Sequence, residues 1–230
     1  MFTSGTSMKP FALLVSTVSC HRSQSTYIRR MKLPSALLFF AAVSSISFVS
    51  SAKCAPETYK IDPAHSAVAF KVRHLFSYVS GKFTKFDGSF TVDADAVDKS
   101  SVNATVHTDS VDTANEKRDE DLRSANFFDA TKFPEITFKS KSVKSTGKDS
   151  ADVVGDFTMH GVTKELTLHA QFLGKGKGMG GEVSGWHLTS DPIKRTDFGL
   201  NWNKAIEGTA VVGEDVEITI DVEAHKVNGA

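Results

Sequence analysis

Acidic residues are absent from the first 52 positions of this 230-residue chain, although the same stretch carries Lys9, Arg22, Arg29, Arg30 and Lys32. That one-sided charge is unlike a globular opening and marks a targeting segment. Cysteine is scarce as well. Cys20 lies in the leader, so the remainder holds Cys54 alone and no intradomain disulfide can form. No hydrophobic run is long and clean enough to be a clear membrane span: residues 33–49 only just reach the minimum length and are diluted by Pro34 and several serines. Motifs that carry chemistry are missing too. His65, His74, His107, His160, His169, His187 and His225 include no His-x-His or His-x-x-x-His pair, so no local metal site is assigned. There is no Gly-x-Ser-x-Gly elbow, and the GKGKGMGG stretch at 174–181 lacks the spacing and the following helix of a phosphate loop. No catalytic residue is assigned, and the chain is not read as an enzyme.

What the leader does contain is a signal-peptide order: Arg29, Arg30 and Lys32, then the apolar 33–49 segment, then Ser50, Ser51 and Ala52 as small residues before a cut. The expected division is a leader over 1–52, with Met31 as an alternative start to Met1 and cleavage after Ala52, and a domain over 53–230. An organelle transit peptide or a retained anchor are the competing readings. Lys53 is a poor neighbour for lipid modification of Cys54, so that thiol is read as unmodified. Loss of the leader removes five of the 27 basic residues and none of the 27 acidic ones, which leaves the domain at about −5 and argues against nucleic acid or an anionic membrane as a general partner.

Period-two alternation runs through the rest. Residues 215–224 alternate Val216, Ile218, Ile220 and Val222 with polar neighbours, and 163–172 do the same with Leu166, Leu168, Ala170 and Phe172. Further strands are expected at 57–61, 66–74, 81–86, 89–93, 101–109, 135–142, 152–159 and 182–191. Turns are expected at Phe86-Asp87-Gly88, at His160-Gly161-Val162 and across 174–181. One helix is expected over 114–124, with Thr113 and Glu116 as a capping box. Eight or more antiparallel strands must hide their edges, so the fold class is all-β, a closed barrel with a single helical crossover. Twelve phenylalanines outside the leader, with Trp186 and Trp202, suit either a tunnel lining or an ordinary solid core.

Longer stretches carry a resemblance. Residues 59–66 (YKIDPAHS), 70–74 (FKVRH), Gly81-Lys82-Phe83 with Phe86-Asp87-Gly88, Lys117-Arg118-Asp119, Phe127-Phe128-Asp129, 133–138 (FPEITF), Gly155 to Thr158, 160–164 (HGVTK) and 193–199 (IKRTDFG) together resemble the YceI family, in order, over nearly all of 57–225. The resemblance implies an extended, lipocalin-like antiparallel barrel of about eight strands in the periplasm. It also implies a tunnel for a polyisoprenoid or isoprenoid-quinone-like amphiphile, frequent homodimers and no established catalysis. On that basis Phe70, Val72, Phe83, Phe86, Phe90, Phe127, Phe128, Phe138, Phe157 and Trp186 are the candidate lipid-binding residues, and His65, His74, Arg118 and Arg195 the candidate head-group residues. The expected ligand is the lipid itself, with no cofactor, for carriage, storage or scavenging, in transient contact with a membrane or a membrane quinone protein. The rivals are an enzyme using His74 and Asp62 as acid and base, and a solid-core structural or stress-response module. The helical insertion is expected to pack over one barrel opening with its phenylalanines inward.

Overall fold

The structure, a computed structural model, describes residues 54–203, 205–206 and 209–227. The leader and the cut after Ala52 lie outside the described residues. In chain order the elements are β1 (Glu57–Ile61), β2 (Ala67–His74), β3 (Ser77–Phe83), β4 (Phe86–Val92), β5 (Ser101–His107), β6 (Val111–Asp112), α1 (Glu116–Arg123), β7 (Glu135–Ser145), β8 (Ser150–Met159), β9 (Val162–Gly178), β10 (Gly181–Ser190), β11 (Ile193–Lys194), β12 (Ala205–Ile206), β13 (Thr209–Ala210) and β14 (Val212–Lys226). β12 and β13 make a separate two-stranded sheet, and the other strands form a closed, antiparallel, eight-stranded barrel.

The eight staves follow the order of the chain, because three of them are broken in two. β1 continues into β2, β3 into β4 and β5 into β6; β2 pairs β3, β1 pairs β4, β4 pairs β5 and β3 pairs β6. Then come β7, β8, β9, β10 and β14, and β14 returns to β1 and β2. Each break would leave backbone groups unpaired, which burial makes costly. Hydroxyls fill the gaps. Ser66 Oγ donates to the Glu223 carbonyl at 3.1 Å and accepts from the Glu223 N–H at 3.0 Å. Ser110 Oγ accepts from the Lys85 N–H at 3.0 Å, and its carbonyl accepts from the Thr84 N–H at 3.1 Å. Thr108, 1% exposed, donates through Oγ1 to the Phe133 carbonyl at 2.8 Å.

Two expected turns are therefore corrected. At Phe86-Asp87-Gly88 the chain does not reverse: β3 and β4 are two halves of one stave, parted at Thr84 and Lys85. The glycine-rich 174–181 stretch is mostly strand, since β9 and β10 continue pairing to Gly178 and Gly181 and only Met179 and Gly180 turn. Glycine tolerates that pairing while offering no side chain for a pattern to register. Gln171 has the last β8 partner, Ser150, and the Phe172 N–H still donates to the Asp149 carbonyl at 2.7 Å; beyond that, among the described residues, β9 pairs β10 alone, so the two strands stand past the rest of the wall as an overhang. The turn at His160 and Gly161 is as expected; both have positive φ, 51° and 76°, as a two-residue hairpin turn requires.

The helix also starts later than expected. Asn115, not Thr113, is its cap, accepting from the Arg118 N–H at 3.1 Å. Thr113 is buried instead, its N–H and hydroxyl both donating to Asp119 Oδ1. The helix joins β6 to β7 at the end of the barrel where Phe128 meets Phe83 edge-on at 5.6 Å and Phe198 meets Phe157 at 5.4 Å. Those rings belong to one buried cluster with Ile136, Phe138, Val153, Leu168 and Leu200.

Gly155 on β8 is part of that packing. A Cβ there would lie 2.7 Å from the Phe138 ring and 2.5 Å from the Lys139 carbonyl oxygen. Gly155→Ala is expected to cost roughly 1–3 kcal/mol through overpacking, seen as a lower urea midpoint at unchanged slope. An unchanged midpoint would show that the Phe138 ring and the β7 backbone yield without strain.

Candidate functional site

Residues paired across a sheet share a face, so the ladder itself identifies the interior. On β4 and β5, Phe86 pairs with Val106 and Phe90 with Val102. Phe90 stacks on Tyr59 of β1 at 5.3 Å and meets Trp186 of β10 edge-on at 6.0 Å, while Trp186 also touches Phe172 at 4.8 Å. Four aromatics thus form a band inside the barrel. Phe83, Phe138 and Phe157 are buried in the cluster beyond it, and Phe70 lies against Phe83 at 5.6 Å, its ring filling the space over Gly81. Phe86 is buried, and Val72 is half-buried opposite Val79 and Val216.

The expectation for the helical insertion holds for one of its two adjacent phenylalanines. Phe128 joins the interior cluster, whereas Phe127 packs on Trp202 at 5.2 Å and is not part of that cluster.

Toward the opposite end the interior becomes charged. Glu57 shares a face with Tyr59, Lys226 pairs with Tyr59, Lys175 pairs with Ser184, and Glu182 lies two residues before Ser184 on the same face. The four side chains are 28–39% exposed, as at a mouth, while Tyr59 beneath them is 2% exposed. Lys226 Nζ lies 2.6 Å from Glu57 Oε1, Lys175 Nζ 2.9 Å from Glu57 Oε2, and the Tyr59 hydroxyl donates to Glu57 at 2.8 Å. Lys175 and Lys226 reach Glu182 at 3.4 and 3.8 Å. Burial alone would raise the pKa of Glu57, but hydrogen bonds from Lys226, Lys175 and Tyr59 outweigh it and bring the value down to about 2. Burial and the Glu57 carboxylate both push the Tyr59 hydroxyl up, so it stays protonated as a donor.

Lys175 reaches this ring because of a bulge. Phe172 pairs with Trp186 and Gly174 with Gly185, which leaves Leu173 without an opposite number. The extra residue reverses the alternation, so Phe172 and Lys175, three positions apart, both face inward. No sequence period predicts that; the inward position of Glu57 was available from its place two residues before Tyr59.

The four residues expected at a lipid head group are not assembled into one site; no hydrogen bond or ion pair joins any two of them. His65 is exposed on the outside, its Nδ1 2.8 Å from Asp62 Oδ2. His74 ends β2 on the same face as Val72, opposite Val212. Arg118 is spent on Thr113, donating to its hydroxyl at 2.7 Å and its carbonyl at 2.9 Å. Arg195, 4% exposed, donates to the carbonyls of Gly213, Leu200, Trp202 and Val212, which makes it a clamp between the loop after β11 and the start of β14.

The lowered pKa of Glu57 fixes a pH dependence. The ring's contribution to stability is fully present above the ordinary value of 4.5 and is lost as pH falls from there toward 2. Glu57→Gln is expected to cost about 1–2 kcal/mol at neutral pH and to flatten the stability profile between those two pH values in chemical unfolding. A variant as pH-sensitive as the parent would place the acid-labile group elsewhere. Arg195→Met should cost more, roughly 3 kcal/mol or above, since it strands four carbonyls; full retention of the unfolding midpoint would contradict the clamp.

The YceI-like domain model matches residues 59–224. A UPF0312 protein of Pseudomonas putida strain GB-1 is 38% identical over 192 residues, covering 82% of this chain and 96% of that protein. The crystal structure of a Campylobacter jejuni YceI protein aligns with a TM-score of 0.58 at 29% identity, covering 68% of this chain and 90% of that one. A polyisoprenoid binding domain from Saccharophagus degradans shares the fold, with a TM-score of 0.52 at 16% identity over 74% of this chain and 98% of that domain. Matched along its strands, its turns and its barrel, the chain belongs to the YceI family.

Proposed function

We propose that the barrel shelters a long isoprenoid amphiphile, its chain along the aromatic interior and its polar head at the ring of Glu57, Lys175, Glu182 and Lys226. The observation that carries this reading is the sequence of surfaces inside the barrel: an apolar, aromatic band of Tyr59, Phe90, Phe172 and Trp186 leads directly to that ring. An amphiphile has the same order of surfaces. The polyisoprenoid named for the Saccharophagus degradans domain supports the class of chain.

The ring supports a choice of head. Two carboxylates and two ammonium groups leave no net charge, and each ammonium is already paired. A diphosphate arriving there would add negative charge beside two carboxylates whose charge the two ammonium groups already balance, an excess that is costly in a partly buried site. An uncharged acceptor, such as a quinone carbonyl, accepts hydrogen bonds from the remaining ammonium N–H groups without breaking the pairs. We therefore favour an isoprenoid quinone or a prenyl alcohol over a prenyl diphosphate. Burying a methylene contributes about 0.8 kcal/mol, but a membrane offers the same gain, so exchange between membrane and barrel is near balance. That suits carriage, storage or scavenging in the periplasm, the destination that the leader suggests, with a membrane or a membrane quinone protein as the transient partner. A binding role is also favoured over catalysis, since Asp62 is engaged by His65 and His225 rather than by His74.

The reading is tested on protein purified from its native compartment, by organic extraction and mass spectrometry. The expected result is a prenyl lipid near one per domain. Delipidated protein should then take up a prenyl quinone, quenching Trp186 fluorescence, more tightly than a prenyl diphosphate of equal length. Phe90→Asp should lose this uptake, because an isolated carboxylate in the band costs several kcal/mol. Extraction without lipid, together with no uptake of either probe, would favour a solid core and sink the proposal.

A further inference from the structure

We propose that Asp62, Glu223 and His225 form a divalent-metal site on the outer face of the barrel, suited to zinc or a neighbouring first-row ion, with His65 positioning Asp62. The sequence shows no close metal-ligand spacing; the ladder builds one from the two ends of the domain. On β14, Glu223 and His225 are two residues apart and flank Ala224, which is fully buried and faces inward. Both therefore point outward. β1 ends with Ile61 opposite Ala224, and one step further the Asp62 N–H donates to the Glu223 carbonyl at 2.9 Å. Asp62 is thus set against Glu223.

Two carboxylates facing each other across a ladder repel. Among the described residues no lysine or arginine makes an ion pair with either; the groups at hand are imidazoles. His65 Nδ1 at 2.8 Å and His225 Nε2 at 3.2 Å approach the same oxygen, Asp62 Oδ2. One donor atom each from Asp62, Glu223 and His225 lies within 4.8 Å of the others, and all three residues are half-buried. In a tetrahedral zinc site, with bonds of ~2.0–2.2 Å, ligand atoms stand about 3.4 Å apart. Asp62 and His225 are already at that spacing, and Glu223, the longest of the three arms, closes the remainder by a rotamer change.

Asp62 is held for this role. Its Oδ1 accepts from the Ala64 N–H at 2.9 Å and its carbonyl from the His65 N–H at 3.3 Å, in a turn that Pro63 stiffens. Oδ2 is left turned toward the imidazoles. His65 then orients a ligating carboxylate, as outer-shell partners do. One imidazole and two carboxylates leave a fourth position for water, the pattern of an exchangeable site.

The site is independent of the lipid, so it is tested on delipidated, chelator-treated protein with zinc chloride as the probe, at pH 8 where free imidazole is neutral. Calorimetry is expected to show one saturable site, and zinc to raise the unfolding temperature. Asp62→Asn and His225→Ala should each abolish both effects, and His65→Ala should weaken the affinity roughly 10-fold to 100-fold. His187→Ala, which removes a histidine paired with Asp221 at 2.7 Å on the same outer face, should change neither. Should the Asp62 or His225 variants fail to fold without metal, Glu223→Gln supplies the same reading with the turn intact. Absence of saturable binding overturns the proposal, and so does binding that survives the paired Asp62→Asn, His225→Ala variant, which would mean an adventitious ion on other surface histidines only.

Discussion

Ring closure at β14 is the constraint on which the barrel depends. One side of that strand pairs with β10, and the other is divided between β2, along Val212 to Asp221, and β1, along Ala224 to Lys226. A single straight stave cannot meet both stretches. β1 and β2 part at Asp62 to Ser66, and the parting passes to the next staves at Thr84–Lys85 and Thr108–Ser110. Short hydroxyl side chains bridge this line, each replacing ladder hydrogen bonds that the offset removes. The break in the first stave also carries Asp62 onto the outer face beside Glu223 and His225, so a demand of topology creates a polar cluster that no local motif encodes.

Charge inside the barrel obeys a second constraint. A buried ion is tolerated when it is paired and hydrogen-bonded, and the two solutions here differ. At the mouth, opposite charges satisfy one another, which leaves the ring neutral and adaptable. At the other end Arg195 has no carboxylate at hydrogen-bond distance among the described residues and is held by carbonyl oxygens, a fixed arrangement suited to closing a loop rather than to receiving a ligand. Burial opposes its charge, and the more distant Glu214 supports it.

Strands with one apolar face were legible in the sequence. In β14 and β9 the alternation of Val216, Ile218 and Ile220, and of Leu166, Leu168 and Ala170, maps onto the interior as expected. The breaks were not legible, because a serine at position 66 or 110 acts through backbone groups far along the chain. The helix was placed by composition, yet its cap was misassigned, since Asn115 and Thr113 are both good caps and only the burial of Asp119 decides between them. The charged ring escaped notice for the most general reason: a lysine on a strand reads as facing solvent, and the bulge at Leu173 that turns Lys175 inward is a matter of register. Of the head-group residues nominated from the resemblance, Arg118 and Arg195 prove to be committed to the backbone and hydroxyl groups around them, and His65 to the Asp62 carboxylate.

The overhang of β9 and β10 has a consequence for how copies of this protein meet. A closed barrel presents no edge, but from Leu173 to Gly178 the outer side of β9 has no ladder partner from β8. Those backbone donors and acceptors could template pairing with a second chain. The bulge at Leu173, the glycines at 174, 176 and 178 and the cations Lys175 and Lys177 are the devices by which exposed edges are kept from zipping together. The same few residues that bring a lysine into the mouth therefore also act as the barrel's guard against edge-to-edge association, and a substitution chosen to alter the mouth would alter colloidal behaviour with it.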